Sequence, residues 1–150
     1  LALINNILDL SRLEAGMMRF NVQECDAVEL CREVKMMVNM QTKMVNAYFH
    51  TDLEILPIQA DTDGSSKYCH HYCAYPNCTG DICQVEYTLT KEGQYLRITV
   101  TGSPLYHIWK DEQEQRILHD INKLCLEAFK GSYLVSEGEQ KVVTITYPLA

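Results

Sequence analysis

The side chains that could act as metal ligands or nucleophiles are concentrated in one stretch near the middle of the chain. It holds six thiols and imidazoles, namely Cys69, His70, His71, Cys73, Cys78 and Cys83. Such groups are common zinc ligands, but their spacing here is not that of a paired zinc knuckle. Cys83 also opens a run that alternates like a β-strand. We therefore predict buried thiols and surface histidines and no metal site, with a zinc site as the alternative.

A cysteine and a histidine in this stretch could also act as a nucleophilic pair, in which the imidazole takes the thiol proton. Such a pair normally needs a third group that orients the histidine, and none is evident in the sequence. We therefore predict no catalytic residue in this chain.

The first element that could position a site is a helix over residues 1–18. Its small and apolar residues recur in alternating threes and fours, the spacing of a coiled-coil seam. The seam consists of Leu1, Ile4, Leu8, Ser11, Ala15 and Met18. Leu3, Ile7 and Leu10 widen the apolar face, which favours a helix packed in a bundle. An ordinary core helix is the alternative.

Two further helices are predicted. One begins at Asp26, whose side chain can cap it, with Glu29 placed as in a capping box. Its predicted buried stripe is Ala27, Leu30, Cys31, Val34, Met37 and Val38. The other begins near Asp111, and Gly131 is placed to end it. Its predicted apolar face is Ile117, Ile121, Leu124, Cys125 and Ala128.

The strands are grouped apart from the helices. Tyr48, Phe49 and Thr51 favour a strand, residues 83–101 alternate as a hairpin that turns around Gly93, and residues 133–147 form a second hairpin. Residues 59–80 show no clear period. This order predicts an α+β fold, a two-layer sandwich with helices on one face of a mixed sheet. We assign residues 1–20 to a bundle helix and residues 21–150 to the sandwich domain.

The composition narrows the possible functions. A net charge of −7 argues against a nucleic-acid surface, which needs a basic footprint. No run reaches the ~18 apolar residues of a membrane span, and no basic leader precedes Leu1. We expect a piece of a longer protein, with any membrane anchor upstream. Seven cysteines without a secretory signal predict reduced thiols in the cytoplasm.

Three stretches of the sequence resemble one family. Residues 4–16, INNILDLSRLEAG, closely resemble the end of the second helix of the dimerisation and phosphotransfer bundle in bacterial sensor histidine kinases of two-component systems. Residues 26–34 resemble the first helix of that family's GHKL-type ATPase domain. Residues 123–132 resemble its last long helix and the glycine after it. The resemblance implies a Bergerat-type sandwich, and it implies a phosphorylated histidine upstream of Leu1.

The resemblance also implies where Mg-ATP would bind. In the family, an asparagine on a helix helps to hold Mg²⁺, an aspartate followed by glycines binds the adenine amino group, and a second glycine-rich stretch meets phosphate at a helix start. Aligned on these motifs, Cys73 takes the place of the asparagine, with Asn77 as the alternative, although Pro76 would interrupt a helix there. Gly102 takes the place of the aspartate.

The remaining parts of the nucleotide site also depart from the family pattern. Residues 116–119 replace the second glycine-rich stretch and contain no glycine, so side chains would obstruct phosphate. Only about a dozen residues separate Gly102 from this stretch, too few for a normal lid. Pro104 removes a backbone donor. We expect Tyr106 and Trp109 to fill what is left of the pocket.

We therefore expect a degenerate ATPase-like domain that binds no Mg-ATP and serves as a structural or regulatory module. Its vestigial pocket positions would be Cys73, Asn77 and Gly102. Expected partners are a second copy through the N-terminal helix and a response regulator or receiver domain, as the resemblance implies. The alternatives are an active kinase domain with a divergent site and a fold that holds another ligand.

Overall fold

The computed structural model of the chain describes residues 2–17, 19–41, 45–61, 83–103, 112–136 and 142–149. These residues form three α-helices and seven β-strands. In chain order they are α1 (Ala2–Glu14), β1 (Val22–Asp26), α2 (Ala27–Gln41), β2 (Val45–Thr51), β3 (Pro57–Asp61), β4 (Cys83–Glu92), β5 (Tyr95–Ser103), α3 (Glu112–Ala128), β6 (Ser132–Ser136) and β7 (Val142–Pro148).

Five of the strands form one mixed sheet in the order β2-β4-β5-β7-β6. β2 runs parallel to β4, and the other neighbours are antiparallel. β1 and β3 pair separately as a two-stranded antiparallel ribbon. The predicted α+β class with a mixed sheet is confirmed.

Alternation along the strands decides which face of the sheet is covered. In β4, Val85, Tyr87 and Leu89 are buried, and the residues between them are more exposed. Val34 of α2 and Leu126 of α3 pack into the same cluster as the buried strand residues. Because period-2 alternation places every second side chain on one face, both helices cover that face of the sheet.

The first helix is shorter than the sequence predicts, ending at Glu14 and not near residue 18. Gly16 adopts a left-handed conformation, with φ of 68°. Its N–H donates to the carbonyl of Leu13 at 3.2 Å, and the N–H of Met17 donates to the carbonyl of Arg12 at 2.8 Å. This is a Schellman ending, which closes a helix at a glycine.

The second helix begins where the sequence predicts. Oδ1 of Asp26 accepts hydrogen bonds from the N–H of Val28 at 3.0 Å and from the N–H of Leu56 at 2.8 Å. The first bond caps α2, and the second fastens the segment that leads into β3. One carboxylate therefore joins the helix to the ribbon.

The ribbon strands β1 and β3 were not predicted. β1 is mostly exposed, and in its sequence VQECD apolar and polar residues do not alternate. β3 holds two buried residues on one face, Ile58 and Ala60, but it is only five residues long. Strands this short give too weak a periodic signal to be recognised from one sequence.

The third helix covers the predicted region but buries a different set of side chains. Ile121 and Cys125 are buried as predicted, whereas Ala128 is exposed. Asn122 and Leu126 are buried instead. The buried stripe of α3 is therefore shifted from the predicted one toward Asn122 and Leu126.

Candidate functional site

The predicted nucleotide pocket is only partly within the described residues. Cys73 and Asn77 lie outside them, as do Pro104, Tyr106, Trp109 and the cysteine- and histidine-rich stretch up to residue 82. The described parts are the end of β5, which carries Gly102, and the first turns of α3.

Gly102 lies within β5, which ends at Ser103, two residues beyond its predicted end. It is the ladder partner of Val85 in β4, and Ser103 still pairs with Gln84. A glycine has no carboxylate, so this position offers no charged acceptor to an adenine amino group.

Residues 116–119 lie inside α3, which begins at Glu112. In an α-helix each N–H from the fifth residue onward donates to the carbonyl four residues earlier. The N–H groups of residues 116–119 are therefore used within the helix. A phosphate cradle needs free N–H groups at a helix start, and this stretch supplies none of them.

His119 is held by neighbours that suit a packing residue. Its ring lies 5.4 Å from the ring of Tyr133 at an interplanar angle of 69°, an edge-to-face contact. Its Nδ1 lies 3.5 Å from Oδ1 of Asp120. His50 lies in β2, with its Nε2 3.2 Å from Oε1 of Glu86 on an exposed surface.

Asn122 is a buried polar side chain that was not predicted from the sequence. It is fully buried, and neither Oδ1 nor Nδ2 has a hydrogen-bond partner in the described part of the protein. It lies one turn before Leu126, a member of the sheet core. One feature of the sequence could have indicated this burial. Asn122 directly follows Ile121, which was predicted to be buried in the same helix.

Two of the described cysteines, Cys25 and Cys31, are poor nucleophiles. Burial raises the pKa of the Cys31 thiol from its ordinary value of 9.0 to about 12, and the nearby Asp26 charge adds to this. Burial, with Asp26 and Glu33, also raises the pKa of Cys25. Both thiols are therefore neutral near pH 7, and it is the thiolate that reacts. Across the described ranges, no group of three or more metal-binding side chains comes together.

The described residues also show how α1 meets the rest of the chain. Leu10 and Leu13 of α1 pack against a cluster on α3 formed by Ile117, Ile121 and Cys125. Beside them Asp9 is buried, with Oδ1 3.7 Å from a guanidinium nitrogen of Arg12. One face of α1 therefore docks on α3.

The opposite face of α1 carries the predicted seam. Leu8 is 50% exposed, and the neighbouring Ile7 is 42% exposed. Ser11 and Ala15 are exposed as well. Leu1 lies outside the described residues, and the side chain of Ile4 is not described. The described part of the seam thus faces away from the body of its own chain.

Among the described residues, no helix is both long enough and apolar enough to cross a membrane.

Comparison of the sequence with protein-family models and with curated proteins gave no match. Comparison of the structure with solved structures gave clear matches to histidine kinases. The catalytic domain of histidine kinase ThkA is 18% identical with a TM-score of 0.70, over 87% of this chain and 97% of that one. ThkA in complex with response regulator protein TrrA has the same identity and TM-score, over 99% of this chain and 48% of that one.

Two other proteins match over 99% of this chain. A histidine kinase from Burkholderia phymatum STM815 is 14% identical with a TM-score of 0.75, over 80% of its own chain. Full-length ShkA in complex with AMPPNP is 16% identical with a TM-score of 0.78, over 35% of its own chain. At such low identities the likeness is one of fold. This chain has the fold of the catalytic, ATPase-like domain of histidine kinases, with the helix α1 ahead of it.

Proposed function

We propose that this chain is the C-terminal part of a two-component sensor histidine kinase in the cytoplasm. It comprises the end of the dimerisation helix and an ATPase-like body that serves as a structural or regulatory module. The fold and the motif of residues 4–16 support the assignment to signalling. The choice of a regulatory module over an active kinase rests on the residues at the nucleotide site.

The observation that carries this choice is the continuous helix through residues 116–119. The N–H groups of residues 116–119, which the resemblance aligns with the phosphate-binding stretch, are bonded within α3. Gly102, which takes the place of the adenine-binding aspartate, lies in the β5 ladder and has no acceptor side chain. We propose that Gly102, Cys73 and Asn77 are vestigial positions of a pocket that has lost its binding groups.

The size of the expected effect follows from these losses. A hydrogen bond to a charged acceptor contributes ~1.5–3 kcal/mol. Because each ~1.4 kcal/mol changes a dissociation constant tenfold, the missing carboxylate alone weakens adenine binding roughly ten- to a hundredfold. We expect the phosphate donors that residues 116–119 do not supply to weaken binding further, because the positioning of phosphate and the stabilisation of its charge depend on such groups.

The test is a calorimetric titration of the chain with ATP in the presence of Mg²⁺. We expect no saturable heat up to millimolar nucleotide. An ATP-binding histidine kinase domain titrated under the same conditions is the positive control. A micromolar dissociation constant for this chain would replace the proposal with the active-kinase alternative.

The proposed partners follow from the same assignment. ThkA was solved in complex with the response regulator TrrA, and by analogy we propose that this protein works with a response regulator or receiver domain. We also propose a homodimer through the seam face of α1, because Leu8 would otherwise leave apolar surface in water.

A further inference from the structure

We propose that the outer edge of β2 is a strand-pairing surface that the side chain of Asn39 keeps closed. The partner that fits this surface, once Asn39 is removed, is the same strand of a second copy of the chain. Such a surface goes beyond the proposed function, because it belongs to the edge of the sheet and involves neither the nucleotide site nor the seam face of α1. It exists whether or not nucleotide binds.

The sequence of β2 lacks the features that usually protect the edge of a sheet. Natural edge strands are commonly protected by charged side chains, by proline or by being very short. β2 has seven residues, VNAYFHT, and none of them is Asp, Glu, Lys, Arg or Pro. Segments of this length with high β-propensity and little charge are prone to pair with copies of themselves. The other edge strand, β6, has only five residues. The protection of the longer edge must therefore come from outside β2.

Asn39 in α2 supplies that protection. Its Oδ1 accepts a hydrogen bond from the N–H of Ala47 at 2.8 Å, and its Nδ2 donates to the carbonyl oxygen of Ala47 at 3.2 Å. Ala47 lies in the middle part of β2. A neighbouring strand would use the same two backbone groups to pair with this residue. The helix thus places one side-chain amide where an added strand would bind.

The same two bonds show which residues of β2 face outward. The backbone groups of successive strand residues point alternately to the two sides of the strand. The N–H and C=O of Ala47 point away from β4, so those of Val45 and Phe49 also point away, whereas those of Asn46 and Tyr48 point toward β4. Ala47 lies between two outward residues, and its bonds to Asn39 therefore interrupt the outward row.

Two copies of β2 fit together antiparallel about a two-fold axis at Ala47. Ala47 then pairs with its own counterpart, and Val45 pairs with Phe49 of the second copy, as in any interface in which both copies use the same patch. Because β2 has no Asp, Glu, Lys or Arg, this pairing sets no like charges from the two strands opposite each other. The central position of Ala47 explains how one side chain is enough to keep the edge closed.

Sedimentation equilibrium and residue-resolved hydrogen–deuterium exchange of the whole chain test this proposal. Every sample also carries Leu8→Asp, so that pairing through α1 does not contribute. We expect Asn39→Ala to self-associate at least ~tenfold more tightly than the chain that keeps Asn39. The amide of Ala47 should exchange freely in the Asn39→Ala monomer and become protected as the concentration rises, because the second strand then takes the place of Asn39.

Two matched variants separate edge pairing from a general loss of stability. Asn46→Ala removes an exposed asparagine that lies in the same strand and does not close the edge, so it should stay monomeric. Asn39→Asp also loses the bond to the Ala47 carbonyl, but it places a charge at the edge and should stay monomeric too. The amides of the β4–β5 hairpin report whether the sheet stays folded. Should Asn39→Ala expose them, Asn39→Ser is measured in the same way.

Three results would overturn the proposal. One is an Asn39→Ala chain that stays monomeric while its Ala47 amide exchanges freely. Another is association of Asn39→Asp or Asn46→Ala as tight as that of Asn39→Ala, which would assign the effect to lost stability or to the strand surface in general. The third is association that protects β6 and leaves the Ala47 amide exposed. Nucleotide binding is measured separately, so either conclusion can fail without the other.

Discussion

Two asparagines show that the same side chain can stabilise the fold at one position and destabilise it at another. Oδ1 of Asn39 in α2 accepts from the N–H of Ala47 at 2.8 Å, and its Nδ2 donates to the carbonyl of Ala47 at 3.2 Å. Ala47 lies in β2, an edge strand of the sheet. Asn39 therefore satisfies backbone groups that no neighbouring strand of the described sheet can reach.

Asn122 has the opposite surroundings. Its amide is fully buried, and no hydrogen bond to it exists within the described residues. A polar group buried without a partner costs free energy, because it has given up its bonds to water.

The same substitution should consequently have opposite effects at the two sites. Asn122→Leu should raise the free energy of unfolding by about 1–3 kcal/mol, since it removes an unpaired buried amide. Asn39→Leu should lower it by about 1–3 kcal/mol, since it leaves the N–H of Ala47 unpaired. Urea denaturation of both variants measures the difference. A loss of stability in Asn122→Leu would mean that the amide has a partner in the folded protein.

At the scale of elements, the end of α3 shows which residue makes the turn. The N–H of Lys130 donates to the carbonyl of Glu127 at 3.0 Å, and the N–H of Gly131 donates to the carbonyl of Leu126 at 2.7 Å. Lys130 has the left-handed conformation, with φ of 64°. The sequence predicted that Gly131 ends the helix, whereas the residue with the left-handed conformation is Lys130, just before it.

Gly131 is required for a different reason. A Cβ added there would overlap the carbonyl oxygen of Thr146 in β7. The chain leaves the helix so close to the sheet that only a hydrogen fits. Lys130 thus carries the conformational strain of the turn, and Gly131 carries the steric limit.

Two substitutions separate these roles. Lys130→Gly should raise the free energy of unfolding by up to about 1 kcal/mol, because a left-handed residue with a Cβ is strained. Gly131→Ala should lower it by about 1–3 kcal/mol through overpacking against β7. Thermal and urea unfolding give both values. If Lys130→Gly lowered the free energy of unfolding and Gly131→Ala raised it, this assignment of the turn would be contradicted.

At the scale of the whole molecule, α1 has two faces with different tasks. Leu10 and Leu13 dock on α3, and Leu8 on the other side is half exposed. Burying such a side chain is favourable by ~25 cal/mol per Å² of apolar area. In the proposed dimer, the helix would pair through its seam face while Leu10 and Leu13 stay packed on α3.

Leu8→Asp should weaken self-association at least ~tenfold, because a charge in an apolar seam is costly to desolvate. Sedimentation equilibrium over a wide concentration range measures the change. Ile55→Asp is the matched control, since Ile55 is an exposed apolar residue outside α1 and should leave association unaltered. A wild-type chain that stays monomeric at high concentration would contradict the proposed dimer.

The sequence by itself determined the elements that carry a strong local signal. The second helix was predicted to its first residue, because the cap at Asp26 is a local interaction. The β4–β5 hairpin was also predicted, because strict alternation surrounds Gly93. The resemblance of residues 4–16 indicated the fold, which the structure confirms.

Only the tertiary structure decided the features that depend on distant residues. β1 and β3 exist because they pair with each other across some thirty residues of chain. The burial of Asn122, the docking of α1 on α3 and the steric limit at Gly131 all arise where separate elements meet. Periodicity reports which side of an element is apolar, but not which neighbour covers it. Packing partners are therefore set by the assembled fold, whereas caps, turns and alternation can be recognised in the chain alone.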